Sequence, residues 1–326
     1  MFILLSDRGD KVDKKYVVGV DLGGTKIYTA LVDLDGNIIK EKKVETEASK
    51  GEIDVLYKII NTIDNVIEEV NLEEIKSIGI GSPGPLNAKE GIIISSSNLP
   101  FKNFSLVEPI KDKYNVPTYL DNDANVATLA EFMFGQGKGT ENMIYVTAST
   151  GIGAGAIING RIYRGNTGNA LEIGHTTIMK DGPMCGCGNS GCAESLGSGT
   201  AIMKKAKEVC KNNVQTSLKK YDDLTAKEVF KEAEEGDEIS KEVLEFCLSY
   251  LGITVANIIN TFDPQMVVIG GGVINGGPAV FHTINREVKN RCWEAITNNC
   301  KIEKAKLGGK AGVLGAAALA ITESKN

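Results

Sequence analysis

The sequence predicts an α/β protein built as two lobes, and three observations lead to this expectation. The chain has 326 residues, which is enough for two domains with separate cores. Apolar runs of strand length alternate with segments whose apolar residues recur at helical spacing. A strand, a glycine turn and a second strand occur twice, in residues 16–32 and 143–158. The repeat predicts two related lobes with a cleft between them.

The first lobe is expected to open with three strands. Residues Tyr16–Asp21, Ile27–Val32 and Ile38–Val44 are apolar or alternating, and the turn signals GGT and DLDGN separate them. Glu52–Val70 is predicted to be a helix, because its apolar residues recur at helical spacing. The remaining elements predicted here are a strand at 75–80, a helix at 106–114 and a strand at 117–120.

The second lobe repeats part of this order. Its predicted elements are helices at 122–134, 200–211, 226–234 and 238–261, and strands at 143–147, 154–158 and 266–269. An alanine-rich helix at 311–322 closes the chain, and its small side chains indicate that it is buried. The predicted domains are a loose leader (1–15), a small lobe (16–121, joined by 311–326) and a large lobe (122–310).

Composition excludes several classes of protein. The 36 basic and 42 acidic residues give a net charge of −6, which argues against nucleic acid or an anionic membrane as partner. Neither a signal peptide nor an uninterrupted membrane span is apparent, so a cytoplasmic location is expected. Seven unevenly clustered cysteines favour reduced thiols and a metal site over a disulfide framework.

Two glycine-rich turns are candidates for phosphate binding. VGVDLGGTK ends a strand in a tight turn, where Asp21 could hold a hydrated Mg²⁺; an ordinary hairpin turn is the alternative. STGIGAG forms a second such hairpin. GIGSPG and GIGAGA resemble dinucleotide fingerprints, but Pro85 follows the first and a strand follows the second, so a Rossmann site is rejected.

A third candidate is LDNDAN, at Leu120–Asn125. It follows a strand and opens a helix, which places Asp121, Asn122 and Asp123 at a helix N-terminus. Capping of the helix would explain one of these residues but not three in a row. A carboxylate at such a place can take the proton of an alcohol as the alcohol attacks a phosphoryl group.

These motifs together resemble the ROK family of repressors, open reading frames and sugar kinases. DLGGTK, GSPGP, NDAN, STGIGAG, EIGH, an H-x9-C-x-C-x4-C cluster and GGGV occur in the family's order, over about residues 15–322. NLPFKNF and GQGKGTENMIYVT are most similar to its bacterial glucokinase branch. The resemblance implies a two-lobed actin-like, ribonuclease-H-like fold, as in hexokinase, Hsp70 and actin, with ATP and sugar meeting in the cleft.

The resemblance also implies roles for individual residues. Asp123 matches the catalytic base, and Asn122 matches its partner on the sugar hydroxyls. The other implied sugar contacts are Gly84, Asn98, Glu172, His175 and Glu194. The implied ATP contacts are Gly23, Gly24, Thr25, Lys26, Thr150, Gly151, Gly153, Gly271 and Gly272. Where the family often has glycine before E-I-G-H, this sequence has Leu171.

A glycine-rich loop, Gly174–Cys192, carries one of the two histidines. His175, Cys185, Cys187 and Cys192 form a closed tetrahedral set for Zn²⁺, whereas a catalytic zinc keeps one position open. A structural zinc would fix the wall that carries the implied sugar contacts; an iron–sulfur site and a reduced loop without metal are the alternatives. Both glycine turns are distant in sequence, so loss of the metal should affect ATP binding less than sugar binding.

The resulting expectation is an ATP-dependent hexose kinase that converts glucose to glucose 6-phosphate with Mg²⁺. N-acetylmannosamine, N-acetylglucosamine, fructose and allose are alternative substrates. A non-enzymatic sugar-responsive regulator is a second class, but the family's repressors carry a winged helix before DLGGTK, where this sequence has about fifteen residues. A third class is an actin-like or chaperone ATPase. The family resemblance implies a homodimer or larger homo-oligomer.

Overall fold

Two units make up the computed structural model, which describes residues 13–96, 98–212 and 214–324. Unit 1 extends to Asp123 and resumes at Gly312, and unit 2 comprises Ala124–Ala311. Most of the predicted leader, residues 1–12, lies outside the described residues. Lys15 is bonded to Glu74 through its backbone N–H and its side chain, at 3.0 and 2.9 Å.

The strands of the described residues follow in chain order. They are β1 (Tyr16–Leu22), β2 (Lys26–Asp33), β3 (Ile38–Glu45), β4 (Ile75–Ser82), β5 (Leu86–Asn87), β6 (Ile92–Ser95), β7 (Lys102–Ser105), β8 (Thr118–Asn122), β9 (Met143–Ala148), β10 (Ile152–Ile158), β11 (Arg161–Tyr163), β12 (Met266–Gly270) and β13 (Lys301–Lys304).

The α-helices of the described residues are α1 (Glu52–Ile67), α2 (Val107–Tyr114), α3 (Asp123–Met133), α4 (Ala193–Gly197), α5 (Gly199–Lys211), α6 (Ala226–Glu234), α7 (Glu238–Phe262), α8 (Pro278–Arg291), α9 (Glu294–Thr297) and α10 (Ala311–Glu323). Strands β1–β8 and helices α1, α2 and α10 belong to unit 1. Strands β9–β13 and helices α4–α9 belong to unit 2, and α3 leads into it.

Unit 1 is organised around a five-stranded sheet of order β3-β2-β1-β4-β8. Strands β3, β2 and β1 are antiparallel neighbours, whereas β1, β4 and β8 run parallel. On one face, Val18 and Val20 of β1 join Ile59 and Ile63 of α1 in a buried cluster. The predicted three-strand opening and the first helix are therefore confirmed, with α1 ending at Ile67.

The other face of the sheet lies against α10, and glycine makes this contact possible. Gly19 and Gly79 are partners in the parallel β1–β4 register. A Cβ at Gly19 would lie 2.3 Å from the carbonyl oxygen of Val313, and a Cβ at Gly79 would lie 1.9 Å from that of Ala316. The backbone of α10 thus rests directly on two strands, and the predicted burial of this alanine-rich helix is confirmed.

Unit 2 contains a sheet with the same topology. Its order is β11-β10-β9-β12-β13. Strand β9 pairs antiparallel with β10 and parallel with β12, just as β1 pairs with β2 and β4. Outer strands β11 and β13 repeat the orientations of β3 and β8. The repeated strand–turn–strand pattern in the sequence therefore does reflect two related units.

Among the described helices, α7 alone is long and apolar enough to cross a membrane by length and composition. Of its most apolar 18-residue window, 61% is buried. Leu251, Val255 and Ile259 of α7 belong to the core cluster of unit 2. Packing inside unit 2 therefore accounts for the apolar surface of this helix.

Several elements were not predicted. They are α8, the short helices α4 and α9, the edge strands β11 and β13, and the three-stranded sheet formed by β5, β6 and β7. Strand β13 has the sequence KIEK, which lacks an apolar run because it pairs on one edge only. Strand β10 begins at Ile152, two residues before the predicted start.

We expect Gly79→Ala to destabilise the protein by at least about 1–3 kcal/mol, because the new Cβ would overlap the backbone of α10. Urea unfolding followed by circular dichroism measures this change. Gly309→Ala is the matched control, since no heavy atom lies within 4 Å of a Cβ at that position. Equal stability of the two variants would contradict direct contact between α10 and the sheet.

Candidate functional site

The parallel strands of unit 1 bring several predicted residues to one edge of the sheet. Asp21 on β1 is the register partner of Gly81 on β4, and Gly81 is the partner of Asp121 on β8. In parallel sheets, ligands bind beyond the carboxyl ends of the strands. The first glycine turn, the GSPGP loop and the start of α3 all leave the sheet at this edge.

The LDNDAN motif is divided between two elements. Asp121 and Asn122 are the last residues of β8, and α3 begins directly after them at Asp123, one residue later than predicted. Asp121 is buried and accepts a hydrogen bond from the backbone N–H of Asn122 at 2.8 Å. Asp123 opens α3 and is exposed, as a group that reacts with a ligand must be. A Cβ at Gly84 would lie 3.5 Å from Asn122 Nδ2, so this glycine lies beside the motif.

Asp21, the predicted magnesium ligand, lies against the start of α10. A Cβ at Gly312 would lie 2.5 Å from its Cγ, so glycine at that position leaves room for the carboxylate. Burial raises the pKa of Asp21 above its ordinary value, and the charge of Lys26 partly offsets this effect. A half-buried carboxylate of this kind is stabilised by a bound cation, which is consistent with Mg²⁺ binding.

The first glycine turn is held from the β3 side. The N–H of Gly23 donates to the carbonyl of Lys26 at 3.0 Å, which closes the turn. Thr46 donates its hydroxyl to the carbonyl of Gly23 at 2.6 Å and its N–H to the carbonyl of Thr25 at 2.9 Å. Thr25 and Lys26 are themselves exposed and accessible to a ligand.

Asn98, a predicted sugar contact, packs against this turn. A Cβ at Gly24 would lie 2.6 Å from Asn98 Cβ and 2.8 Å from Asn98 O. Only glycine at position 24 therefore allows the two segments to meet. The contact brings one predicted sugar residue and one predicted phosphate residue of unit 1 next to each other.

In unit 2, the second glycine turn borders a pocket of about 440 Å³. Of the predicted ATP contacts in unit 2, Thr150 and Gly272 line the pocket, whereas Gly151, Gly153 and Gly271 are not among its lining residues. Gly271 has a φ of +95°, and its Cβ would lie 2.2 Å from the carbonyl of Ala148, so glycine is needed there for the chain to turn. The lining residues are Ser149, Thr150, Gly199, Thr200, Met203, Thr225, Ala226, Lys227, Phe230, Gly272, Val273, Asn275 and Gly276.

The N-termini of two predicted helices, α5 and α6, also lie in this lining, although the sequence motifs did not assign them to phosphate binding. Helix α5 begins after Ser198, whose hydroxyl accepts the N–H of Ala201 at 3.1 Å. Helix α6 begins after Thr225, which forms a capping box with Glu228. Helix N-termini attract phosphate through their free N–H groups and dipole. The T-x-x-E pattern was a local signal for the second N-terminus.

The four predicted metal ligands come together in unit 2. Their ligand atoms all lie within 4.8 Å of one another. Cys187 Sγ and Cys192 Sγ are 3.7 Å apart, and Cys185 Sγ and His175 Nδ1 are 3.7 Å apart. A tetrahedral site with metal–sulfur bonds of about 2.3 Å has sulfur–sulfur edges of about 3.8 Å. The group therefore has the size and the soft donors that a tetrahedral metal ion requires.

The loop also lowers the pKa of one cysteine, which favours its thiolate form, and it orients the histidine. A hydrogen bond from the backbone N–H of Asn189 is the main cause that lowers the pKa of Cys187 to about 7. His175 directs Nδ1 toward Cys185, and its Nε2 lies 3.9 Å from Oε2 of Glu172. The ring can therefore offer one nitrogen to the metal group and the other to the side of the predicted sugar contacts.

The two glutamates that were predicted to contact sugar, Glu172 and Glu194, differ in their surroundings. Glu172 is exposed and precedes a single turn of 3₁₀ helix, Ile173–His175. Glu194, in α4, is half-buried, and its Oε1 lies 3.8 Å from Cys185 Sγ. Leu171 has a φ of +62°, a region that favours the glycine common in the family, and its side chain packs against the core of unit 2. This packing holds the residue before Glu172 in a conformation that leucine rarely adopts.

The repeated sheet with a glycine hairpin in each copy has the topology of the predicted actin-like ATPase fold class. A sequence profile of the ROK family matches residues 17–323. The chain therefore belongs to the ROK family, as the motifs predicted.

Comparison with individual proteins agrees with this assignment. The chain is 33% identical to a glucokinase of Thermotoga maritima, covering 94% of this chain and 97% of the relative. It is 35% identical to a xylose repressor of Bacillus subtilis, covering 94% of this chain and 77% of the relative. A crystal structure of a Streptomyces griseus ROK glucokinase in complex with glucose and AMPPNP is 30% identical, with a TM-score of 0.77, covering 94% and 99% of the two chains.

We expect Asp21→Asn to raise the melting temperature of the ligand-free protein at neutral pH, because it removes a half-buried carboxylate. The pKa of Asp21 is raised in the folded state, so its stabilising contribution is present below its unfolded pKa and is lost as pH rises through the folded pKa. The advantage of the variant should therefore vanish in acid. Thermal unfolding at pH values from neutral to acidic measures the difference in melting temperature between the variant and the wild type, with Asp35→Asn, at an exposed position, as control. An Asp21→Asn variant less stable than wild type at neutral pH would refute the argument.

Proposed function

We propose that this chain is an ATP-dependent sugar kinase that phosphorylates a hexose, with glucose to glucose 6-phosphate as the preferred reaction. The observation that carries the proposal is the carboxyl edge of unit 1. There an exposed Asp123 follows Asn122. Asp21 on β1 and Asp121 on β8 are both register partners of Gly81 on β4, the strand between them. A base for the hydroxyl and a ligand for Mg²⁺ are the two carboxylates that phosphoryl transfer needs.

In this proposal Asp123 accepts the proton of the primary sugar hydroxyl as that oxygen attacks the γ-phosphorus of ATP, and the bond from that phosphorus to the β,γ-bridging oxygen breaks to release ADP. Asn122 donates to a neighbouring hydroxyl and so orients the nucleophile. The glycine turn before Lys26 offers backbone N–H groups to the phosphates. Bound Mg²⁺ would neutralise charge that develops on the phosphate oxygens, with Asp21 as a ligand directly or through water.

The pocket of unit 2 is proposed as the nucleotide site. The N-termini of α5 and α6 suit the phosphates, and Phe230 and Met203 supply apolar surface for a base. The glucokinase of known structure that carries glucose and AMPPNP supports both ligands as candidates. Glu172 and His175 are proposed to bind sugar hydroxyls, since both are accessible.

We further propose that the metal of the Cys/His group is zinc. The donor set is three cysteines and one histidine, and all four positions of a tetrahedron are filled by protein. A closed set leaves no position for substrate, so the ion would stabilise the loop that Glu172 and Glu194 flank. An iron–sulfur centre would need sulfur ligands in place of the histidine in most such sites.

A second candidate function is a sugar-responsive regulator, because the Bacillus subtilis xylose repressor is as similar to this chain as the glucokinase is. Such a protein would bind sugar without transferring phosphate. N-acetylmannosamine, N-acetylglucosamine, fructose and allose remain alternative substrates of a kinase. Measurement of activity across a sugar panel separates all of these candidates.

The decisive experiment is ADP release, coupled to a spectrophotometric readout, with glucose and the alternative sugars. We expect the largest kcat/KM with glucose, and we expect Asp123→Asn to lower kcat by about 10²- to 10⁴-fold with little change in sugar affinity, because the amide keeps the shape but cannot accept the proton. Asp112→Asn, in α2, is the control. Sugar binding without turnover in the wild type would favour the regulator, and full turnover by Asp123→Asn would remove the proposed base.

For the metal, we expect one zinc per chain by elemental analysis of purified protein. Cys187→Ala should lose the zinc and unfold at a lower temperature, since structural zinc in small domains contributes on the order of 10 kcal/mol to folding. Its sugar KM should rise because Glu172 lies just before this loop and depends on the loop for its position. Cys210→Ala, in α5 and outside the cluster, is the control. A variant without zinc that kept its melting temperature and sugar KM would exclude a structural role.

A further inference from the structure

The carboxylate of Glu194 touches two parts of unit 2 at once. Its Oε2 accepts a hydrogen bond from the backbone N–H of Ile152 at 3.1 Å, immediately after the second glycine turn. Its Oε1 lies 3.8 Å from Sγ of Cys185, in the loop Gly174–Cys192, here called the metal loop. Glu194 itself is two residues beyond Cys192, another member of the cluster. One side chain thus joins the cluster to the turn.

Glycine residues allow this close approach. A Cβ at Gly151 would lie 2.2 Å from Oε2 of Glu194, so any other residue there would displace the carboxylate. A Cβ at Gly174, next to His175, would lie 2.1 Å from the carbonyl oxygen of Ile152. Segments on both sides of the metal loop therefore rest on the same residue, Ile152.

The chain after Glu194 continues along the turn. The N–H of Gly199 donates to the carbonyl of Ser149 at 2.7 Å, and the N–H of Thr200 donates to that of Thr150 at 3.3 Å. Ser149 and Thr150 line the pocket proposed for the nucleotide. A short continuous segment, from Cys192 to Thr200, therefore contacts the turn from Ser149 to Ile152 at three points.

We propose that Glu194 is a positioning residue that fastens the second glycine turn to the metal loop, so that the loop determines nucleotide affinity as well as sugar affinity. The nucleotide part rests on the function proposed above. A carboxylate that accepts an N–H forms a charge-assisted hydrogen bond, which is stronger than a neutral one. This proposal differs from the expectation, drawn from distance in sequence, that loss of the metal affects ATP binding less than sugar binding.

The test measures binding of Mg-AMPPNP by calorimetry with no sugar present. We expect Glu194→Ala to raise the Kd by about tenfold, because the turn loses a hydrogen bond to a charged acceptor. Glu194→Gln keeps an oxygen that can accept from Ile152 and should stay within about threefold of wild type. Glu172→Ala is the matched control. Glu172 is an exposed glutamate at the other end of the metal loop, and its loss should alter sugar binding alone.

Hydrogen exchange of the Ile152 amide gives a readout that is independent of activity. Exchange should be faster in Glu194→Ala and in Gly151→Ala, where the methyl group displaces the carboxylate, and it should be unchanged in Glu172→Ala. Removal of the metal by a chelator that is dialysed away before Mg-AMPPNP is added should raise the AMPPNP Kd of the wild type. It should have less effect on Glu194→Ala, in which the link between the metal loop and the turn is already lost.

Unchanged Ile152 exchange and unchanged AMPPNP affinity in Glu194→Ala, with only the sugar KM raised, would overturn the proposal and leave Glu194 as a sugar contact. If the wild type bound no AMPPNP, the proposed function would fail instead. The exchange of the Ile152 amide in the three variants would then decide by itself whether Glu194 fastens the turn.

Discussion

Contact between a helix backbone and a sheet backbone is the constraint on which unit 1 depends. Gly19 and Gly79 stand side by side on β1 and β4, and α10 lies against both with no side chain between. The same close approach brings Gly312 against Asp21, so the start of α10 helps to surround the predicted magnesium ligand. Core packing and the chemistry of this edge are therefore fixed by one set of glycines.

The two units use the same hairpin but hold it in different ways. In unit 1 the turn is supported by Thr46, whose hydroxyl and N–H both bond to it. In unit 2 the corresponding turn is supported by Glu194 and by the start of α5. Units of the same topology can therefore support this turn through different contacts. Among the described residues, only the turn of unit 2 is connected to the cluster of predicted metal ligands.

Local sequence patterns predicted the features that depend on residues close together in the chain. The apolar strands and α1 followed from periodicity, and the grouping of the four predicted metal ligands followed from residue type and short spacing. Helix α8 was missed although Val280, Ile284 and Val288 recur at helical spacing after Pro278, because most of its other positions are polar. The meeting of Gly24 with Asn98, and of Glu194 with Ile152, joins segments far apart in sequence. No spacing rule reaches such contacts, since they are created by the fold.

The connectivity of unit 1 also has a consequence for synthesis on the ribosome. Its sheet is complete once Asp123 has been made, but α10, which covers one face, begins only at Ala311. At about 5–20 residues per second, all of unit 2 must be translated first, which takes on the order of ten to forty seconds. During that time unit 2 can fold as a continuous segment, while the strand face around Gly19 and Gly79 stays uncovered. The second unit is therefore expected to mature before the first, against the usual N-terminal order, with the unfinished sheet as the surface that a nascent-chain chaperone would shield.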